Sequence, residues 1–355
     1  MPEASTFDHL LAPDGPAAVV SEQWLQPVGE EGIVFPPSYA NPSQKKGDPP
    51  VYNLDNVGTE DLPSWLCTID SVPSQANRME PALGRVAGGK LVPQVLVTAK
   101  QEIDGKKEEV SVSLLEAGHR GADALVRFTK ELGPKLNTAF AAVKRRPADH
   151  EPLARVNPTA LVFGVWDSRG SGVKLPRVVS SIIRAHDVVE LKRSATFFPA
   201  LRFDQAGVAS EEKLEKASVA GMAGALDTGA LGGVLVRGGI CRRGSLNLVA
   251  VRNLRAADDA LTPALQRYIL GLALVAVTHH DGQCLDLRQG CQLVLDPERG
   301  RTRKLLHADG SEEAIEISAE DAVAYAVAAA EAFGVGDDHT EAFDPEAAKK
   351  ALAKP

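Results

Sequence analysis

The chain has 355 residues, of which 44% are hydrophobic, 24% charged and 5% aromatic. This is enough for one large domain or two modest ones with an ample core, in the ordinary composition of a soluble globular protein. So few aromatics exclude a nucleic-acid surface built mainly on stacking. The net charge of −8 sits in residues 311–355, with eleven acids and three lysines, leaving 36 bases and 36 acids in 1–310. That balance excludes strong non-specific polyanion binding but permits local basic stripes.

Residues 1–60 are rich in Pro, Gly and Asp and read as an irregular arm packed over the body, without the apolar segment of a secretory signal. The first expected strand spans 64–70, followed by a short helix over 74–83. Residues 92–99 and 109–115 run as strands, with Asp104-Gly105 between them as a hairpin signal. Helical spacing recurs over 121–143, in Leu125, Phe128, Leu132 and Leu136, with Pro134 expected to interrupt it. The β-branched run 159–166 and the segment 178–191 read as strands, and 211–226 as a helix. Residues 221–244 hold eight glycines, so the backbone there is expected to move or to approach other groups closely. A strand over 246–251, a buried core helix over 261–279 rather than a membrane span, and short strands over 285–317 come next. An Ala-rich helix over 318–333, with Ser318 as N-cap, precedes an acidic tail expected to fray. Strand, helix, paired strands, helix, strand is the order of an RRM-like (ferredoxin-like) α+β unit, here with large insertions.

Three segments stand out as chemistry. In 69–81 a strand ends in Asp70-Ser71 and a helix begins, with Ser74, Gln75, Asn77 and Arg78 in its first turns. Free N–H groups, amides and a guanidinium on one helix face suit a phosphodiester. The structural alternative is a capped helix with Arg78 paired to Glu80 or another acid. In 162–188 a strand ends in Trp166-Asp167-Ser168-Arg169, followed by a Gly-Ser-Gly turn, Lys174 and Arg177. Such a flexible loop suits backbone phosphates, Trp166 is either a base-stacking platform or a core or interface residue, and the structural alternative for Asp167 with Arg169 is a surface ion pair. In 237–243 Arg242 and Arg243 follow paired glycines, fitting close approach to a polyanion or a solvated glycine hairpin.

Catalytic signals are sparse. Cys67, Cys241, Cys284 and Cys291 contain no CxxC pair, which points to reduced thiols rather than a zinc ribbon. His279-His280-Asp281 with Cys284 is the one metal-like cluster, and its spacing fits no metal signature. Asp70 and Asp167 are candidate general bases beside an RNA 2′-hydroxyl, without a partner acid in sequence. No Walker A, GxSxG or GxGxxG motif is present.

The strings DSVPSQANRMEP and VFGVWDSRGSGVKLPRVVSSIIRAHDV resemble the signature segments of the RAMP-type backbone subunits of type I-G (formerly I-U) CRISPR Cascade, the Cas-seven group. The resemblance covers roughly residues 60–335. It implies a discontinuous RRM-like palm with inserted finger and thumb elements (61–335), between the irregular N-terminal arm (1–60) and an acidic flexible tail (336–355) that composition alone suggests. It implies a cytoplasmic, non-catalytic scaffold with no cofactor, metal or membrane partner. Copies would stack head-to-tail along a CRISPR guide RNA, present it to target DNA and join end-capping, processing and large Cascade subunits. Residue by residue, the resemblance offers Ser71, Ser74, Gln75, Asn77 and Arg78, then Ser168, Arg169, Lys174 and Arg177, to the guide. Arg242 and Arg243 enter on basic character alone. The alternatives are an RNA-cleaving RAMP endoribonuclease of the same fold and a small-molecule metalloenzyme using His279, His280 and Cys284.

Overall fold

The computed structural model describes residues 6–29, 31–43, 45, 48–201, 203, 206, 222 and 225–353. Its centre is a curled, antiparallel nine-stranded sheet with helices packed on one face. The strands that matter most are β1 (Ala18–Pro27), β2 (Trp65–Asp70), β3 (Val179–Ala185), β4 (Ile240–Asn247) and β5 (Arg301–Leu306). The path runs Leu285–Arg288, Cys291–Leu295, β1, β4, β3, β2, Leu54–Asn56, and β5 also pairs with β1. On β1 burial alternates, with Val19, Ser21, Gln23 and Leu25 buried and Val20, Glu22 and Trp24 part-exposed. This is the period-2 signature of a sheet covered on one side.

The covered face meets α1 (Val72–Leu83), α2 (Thr262–Thr278) and α3 (Ala319–Phe333). By length and composition the segment Asp259–Thr278 would pass for a membrane span. In the fold Leu265 and every residue from Tyr268 to Thr278 are buried, so α2 is an internal helix. Gly271 lets α2 and α3 meet closely, because a Cβ there would lie 2.8 Å from Ala326 Cα. Tyr268 and Phe333 stack at 4.9 Å across the same seam.

Several expectations hold: β2, α1, α2, and α3 with Ser318 accepting from Asp321 N. The hairpin Val95–Ile103 and Lys106–Ser113 turns at Asp104 and Gly105, both at positive φ, as a two-residue hairpin loop requires. Others are corrected. Residues 18–27 are not irregular but form a central strand. Thr159–Phe163 is a helix, all five residues buried, so no polar face marked its period. The 121–143 helix breaks at Phe128–Glu131, ahead of Pro134, which sits in the first turn of the second piece. Leu248–Arg252 is helical, and the strand lies before it in β4. The expected helix over 211–226 falls mostly outside the described residues, and Ala225–Val236 is a strand. The 95–113 hairpin does not join the central sheet but pairs in parallel with His339–Ala342. The βαββαβ unit read from 64–166 is therefore not built from those elements; the fold is α+β with a curled antiparallel sheet.

The acidic tail, expected to fray, follows the fold through residue 353. Glu341 accepts from the N–H groups of Lys130, Glu131 and Leu132, capping the helix Leu132–Val143. After it, Asp344 caps α4 (Pro345–Leu352).

Candidate nucleic-acid interface

At the end of β2 the chain turns into α1 through Ser71, whose side chain accepts from Ser74 N. The residue before the cap organises the junction. Asp70 is 0% exposed. Its carboxylate accepts from Ser74 Oγ at 2.7 Å, Gln75 Nε2 at 2.6 Å, Arg78 Nε at 3.1 Å and Arg288 Nη2 at 3.3 Å. Each arginine is fixed a second time, Arg78 to Leu287 O and Arg288 to Ile69 O. The string that the sequence offers to an external anion spends most of its donors on its own aspartate. Asn77 points to solvent, and the Arg78 side chain keeps 32% of its surface exposed. The signal available in sequence was Asp70 followed at four, five and eight residues by donors. Arg288, on the far side of the chain, carried none.

Gln75 extends the knot inward. Its Oε1 accepts from Ser181 Oγ and Arg242 Nε. Arg242, expected among the basic surface residues, is buried in the sheet's covered face. Burial, with Arg303 and Arg301 nearby, pushes its pKa down to about 10. Its neighbour Arg243 points the other way, into solvent, and pairs with Glu22 opposite it on β1. Strand alternation alone separates the two.

The 166–177 loop is built differently. Val165–Trp166 pairs with Lys174–Leu175 in a two-stranded ladder. Buried Asp167 accepts from Ser171 N at 2.6 Å, Ser171 Oγ at 2.8 Å and Arg127 Nη2 at 2.8 Å. Lys144 Nζ ties down Ser171 O. A side chain at Gly170 would bring Cβ within 2.4 Å of Asp167 Oδ2, so the turn needs glycine. The aspartate thus holds the loop closed while Ser168, Arg169, Lys174 and Arg177 face outward. Arg169, Lys174 and Arg177 have no ion pair among the described residues. Trp166 is 61% exposed, and Lys174 Nζ lies 5.4 Å from its ring centre. The core reading of Trp166 does not describe it, which leaves the stacking and interface readings. The loop rims a groove of about 640 Å³, with Leu125, Phe128, Trp166, Arg169 and Leu352 in its walls. A buried ion pair, Glu80 with Arg120 at 2.8 Å, and a bond from Arg120 Nη1 to Gly164 O connect α1 to the base of this loop. Burial pushes Glu80 up to about 7 against the pull of Arg120.

The uncovered sheet face adds residues the sequence did not group. Trp24 lies 4.5 Å under the Arg299 guanidinium and 5.7 Å from the His186 ring. Burial lowers the His186 pKa, and Arg243, Arg184 and Arg299 lower it further. These side chains come from separate strands and turns, so no local string announces them.

The catalytic candidates have little room. Asp70 and Asp167 are saturated with donors and closed to solvent. His279 and His280 have ring centres 4.7 Å apart, and burial with nearby Arg242 pushes His280 down to about 3. Among the described residues no three His, Cys, Asp or Glu side chains converge as metal ligands.

Residues 19–190 match the family model described as CRISPR-associated protein GSU0053 (Cas_GSU0053). The matched segment is that of a CRISPR-associated protein. It spans the Asp70 junction and the 166–177 loop, while Arg242 and Arg243 lie beyond it. The match supports a role in CRISPR defence. No curated protein matches the chain.

Proposed function

We propose that the protein is a CRISPR RNA-binding backbone subunit of a type I-G, RAMP-type Cascade, with the central sheet serving as an RRM-like palm. In this reading copies assemble head-to-tail on the guide in the cytoplasm, join the other Cascade subunits and present the guide to target DNA without cutting. The observation that carries it is the 166–177 loop, where Arg169, Lys174 and Arg177 stand unpaired among the described residues on a turn locked by Asp167. Unpaired cations on a fixed frame are what a phosphate backbone needs from a protein that leaves sequence reading to base pairing. The family match of the segment holding the loop supports the same reading.

The test is expression of the full chain with and without a CRISPR array, followed by the 260/280 nm ratio and sizing of extracted RNA. The expected result is RNA of guide length that co-purifies only with the array present, with retention reduced in Arg169→Ala/Arg177→Ala. Protein that stays free of RNA beside an expressed array would overturn the proposal.

A further inference from the structure

Trp166 and Arg169 line the same groove of about 640 Å³. One wall is apolar, built from Leu125, Phe128 and Phe343, with the two phenylalanine rings edge-to-face at 6.4 Å. Ala348 and Leu352 of α4 supply another. That helix buries none of its residues, so it borders the groove without belonging to the core. The charged groups of the lining divide into spent and free. Arg127 donates to Asp167 and to Ala122 O, and Asp123 accepts from His119 N and Leu125 N. The side chains of Ser168 and Arg169 have no hydrogen bond or ion pair among the described residues.

That combination selects a ligand. The groove falls within the ~300–1,000 Å³ of sites that take small molecules, which suits something of nucleoside size and excludes a duplex. An apolar peptide segment would fit the walls but leave Arg169 and Lys174 without an anion. An unstacked base that carries its own phosphates answers both, with its ring on Trp166 and the flanking phosphates on the two cations. Lys174 Nζ lies 5.4 Å from the Trp166 ring centre, so a phosphate next to a base stacked there comes within its reach. The turn closed by Asp167 fixes the tryptophan beforehand, which spares the ordering cost of binding. Apolar walls contact a base without reading its edge, so the contact tolerates any sequence.

We propose that this groove holds one unstacked base of a single-stranded nucleic acid against Trp166, with α4 as its outer wall. The site rests on the RNA-binding reading and deepens it. The cations of the 166–177 loop grip the backbone, and the groove adds a sequence-tolerant contact to one base per copy. The C-terminal helix, outside the family-matched segment, thereby becomes part of the ligand site.

The test uses RNA-free full chain with two probes, a short oligouridylate and an abasic ribose oligomer of equal length and charge. Anisotropy of the labelled oligomers gives affinity as a function of salt. Emission of Trp166 is read as the difference from Trp166→Phe, since Trp24 and Trp65 also emit. The expected result is oligouridylate bound at least about fivefold more tightly than the abasic oligomer, with Trp166 emission quenched. Trp166→Ala, and separately Ala348→Phe, which narrows the groove from α4, should bring oligouridylate down to the abasic level and leave the salt slope unchanged. Equal affinity for the two oligomers in the wild type would overturn the base site and leave the backbone grip standing, whereas no binding of either would overturn both. A Trp166→Ala protein that loses affinity for both oligomers alike gives the ring a structural role only, and also overturns the site. So does wild-type protein without base preference whose copies associate and are separated by Trp166→Ala, because the groove is then an interface between copies.

Discussion

Replacing Asp70 with Asn tests the central claim about the junction, that its donors serve the fold. The carboxylate has 1% of its surface exposed and two ion pairs, at 3.1 Å to Arg78 and 3.3 Å to Arg288. It also accepts neutral bonds from Ser74 and Gln75. Breaking a fully buried pair by removing one partner costs about 3–5 kcal/mol. Here the arginines keep 32% and 25% of their side-chain surface in water, so they are partly re-solvated, which brings the expected loss to about 3 kcal/mol. Arg78→Gln, which leaves Arg288 in place, should cost about 1 kcal/mol. The double variant should show a coupling of about 1 kcal/mol, above the ~0.5 kcal/mol scatter of independent sites. Urea unfolding followed by far-UV circular dichroism measures all three. A loss below about 1 kcal/mol for Asp70→Asn with unchanged m-value, or strict additivity in the cycle, would refute the reasoning. If Asp70→Asn instead keeps its stability and abolishes a guide-dependent RNA cleavage, the endoribonuclease alternative takes its place.

Arg169→Ala/Arg177→Ala should weaken single-stranded RNA binding and lower the slope of log K against log salt by about 1.4, two lost phosphate contacts at ~0.7 each; an unchanged slope removes these residues from the interface. Asp167→Ala raises the net positive charge of the loop, yet should weaken RNA binding and speed proteolysis at 168–172, because the turn loses the acceptor that closes it; tighter binding would show that charge outweighs pre-organisation. His280, held neutral with a folded pKa of about 3, lies below the ~6.5 of an unfolded histidine. Its unfolded form takes up the proton first, so its share of stability is complete above pH 6.5 and falls as pH drops. Between pH 6.5 and 5 the wild type should lose about 1.5 kcal/mol relative to His280→Gln, measured as the difference of two denaturation profiles; parallel profiles would contradict the burial. Gly164 sits at φ +76° with Leu175 O only 2.9 Å from an added Cβ, so Gly164→Ala should cost about 1–3 kcal/mol and disturb the loop above it, with a change below ~0.5 kcal/mol speaking against that strain.

Period and punctuation made much of the local structure readable in the amino-acid order. The buried helix 262–278, the Ser318 cap, the Asp104-Gly105 turn and the strand-to-helix step at Asp70-Ser71 are each encoded within a few residues. The cations of the 166–177 loop stand together in sequence, but its frame was not legible there: Asp167 pairs with Arg127, 40 residues away, and not with Arg169, and it closes a loop whose glycines suggest flexibility. Where burial is complete the code fails. Residues 159–163 are apolar on every side, so the helix leaves no polar face to betray its period. Tertiary structure alone decided which donors are spent and which are free. Arg242 and Arg243 are adjacent and chemically identical, yet strand alternation places one in the interior and the other in solvent. Arg78 meets Asp70 within its own motif, but the knot closes only when Arg288 arrives from a strand 218 residues away. Whether a charged group is available to a ligand depends on which opposite charges the fold brings within a few ångströms, and that distance is not written in sequence separation.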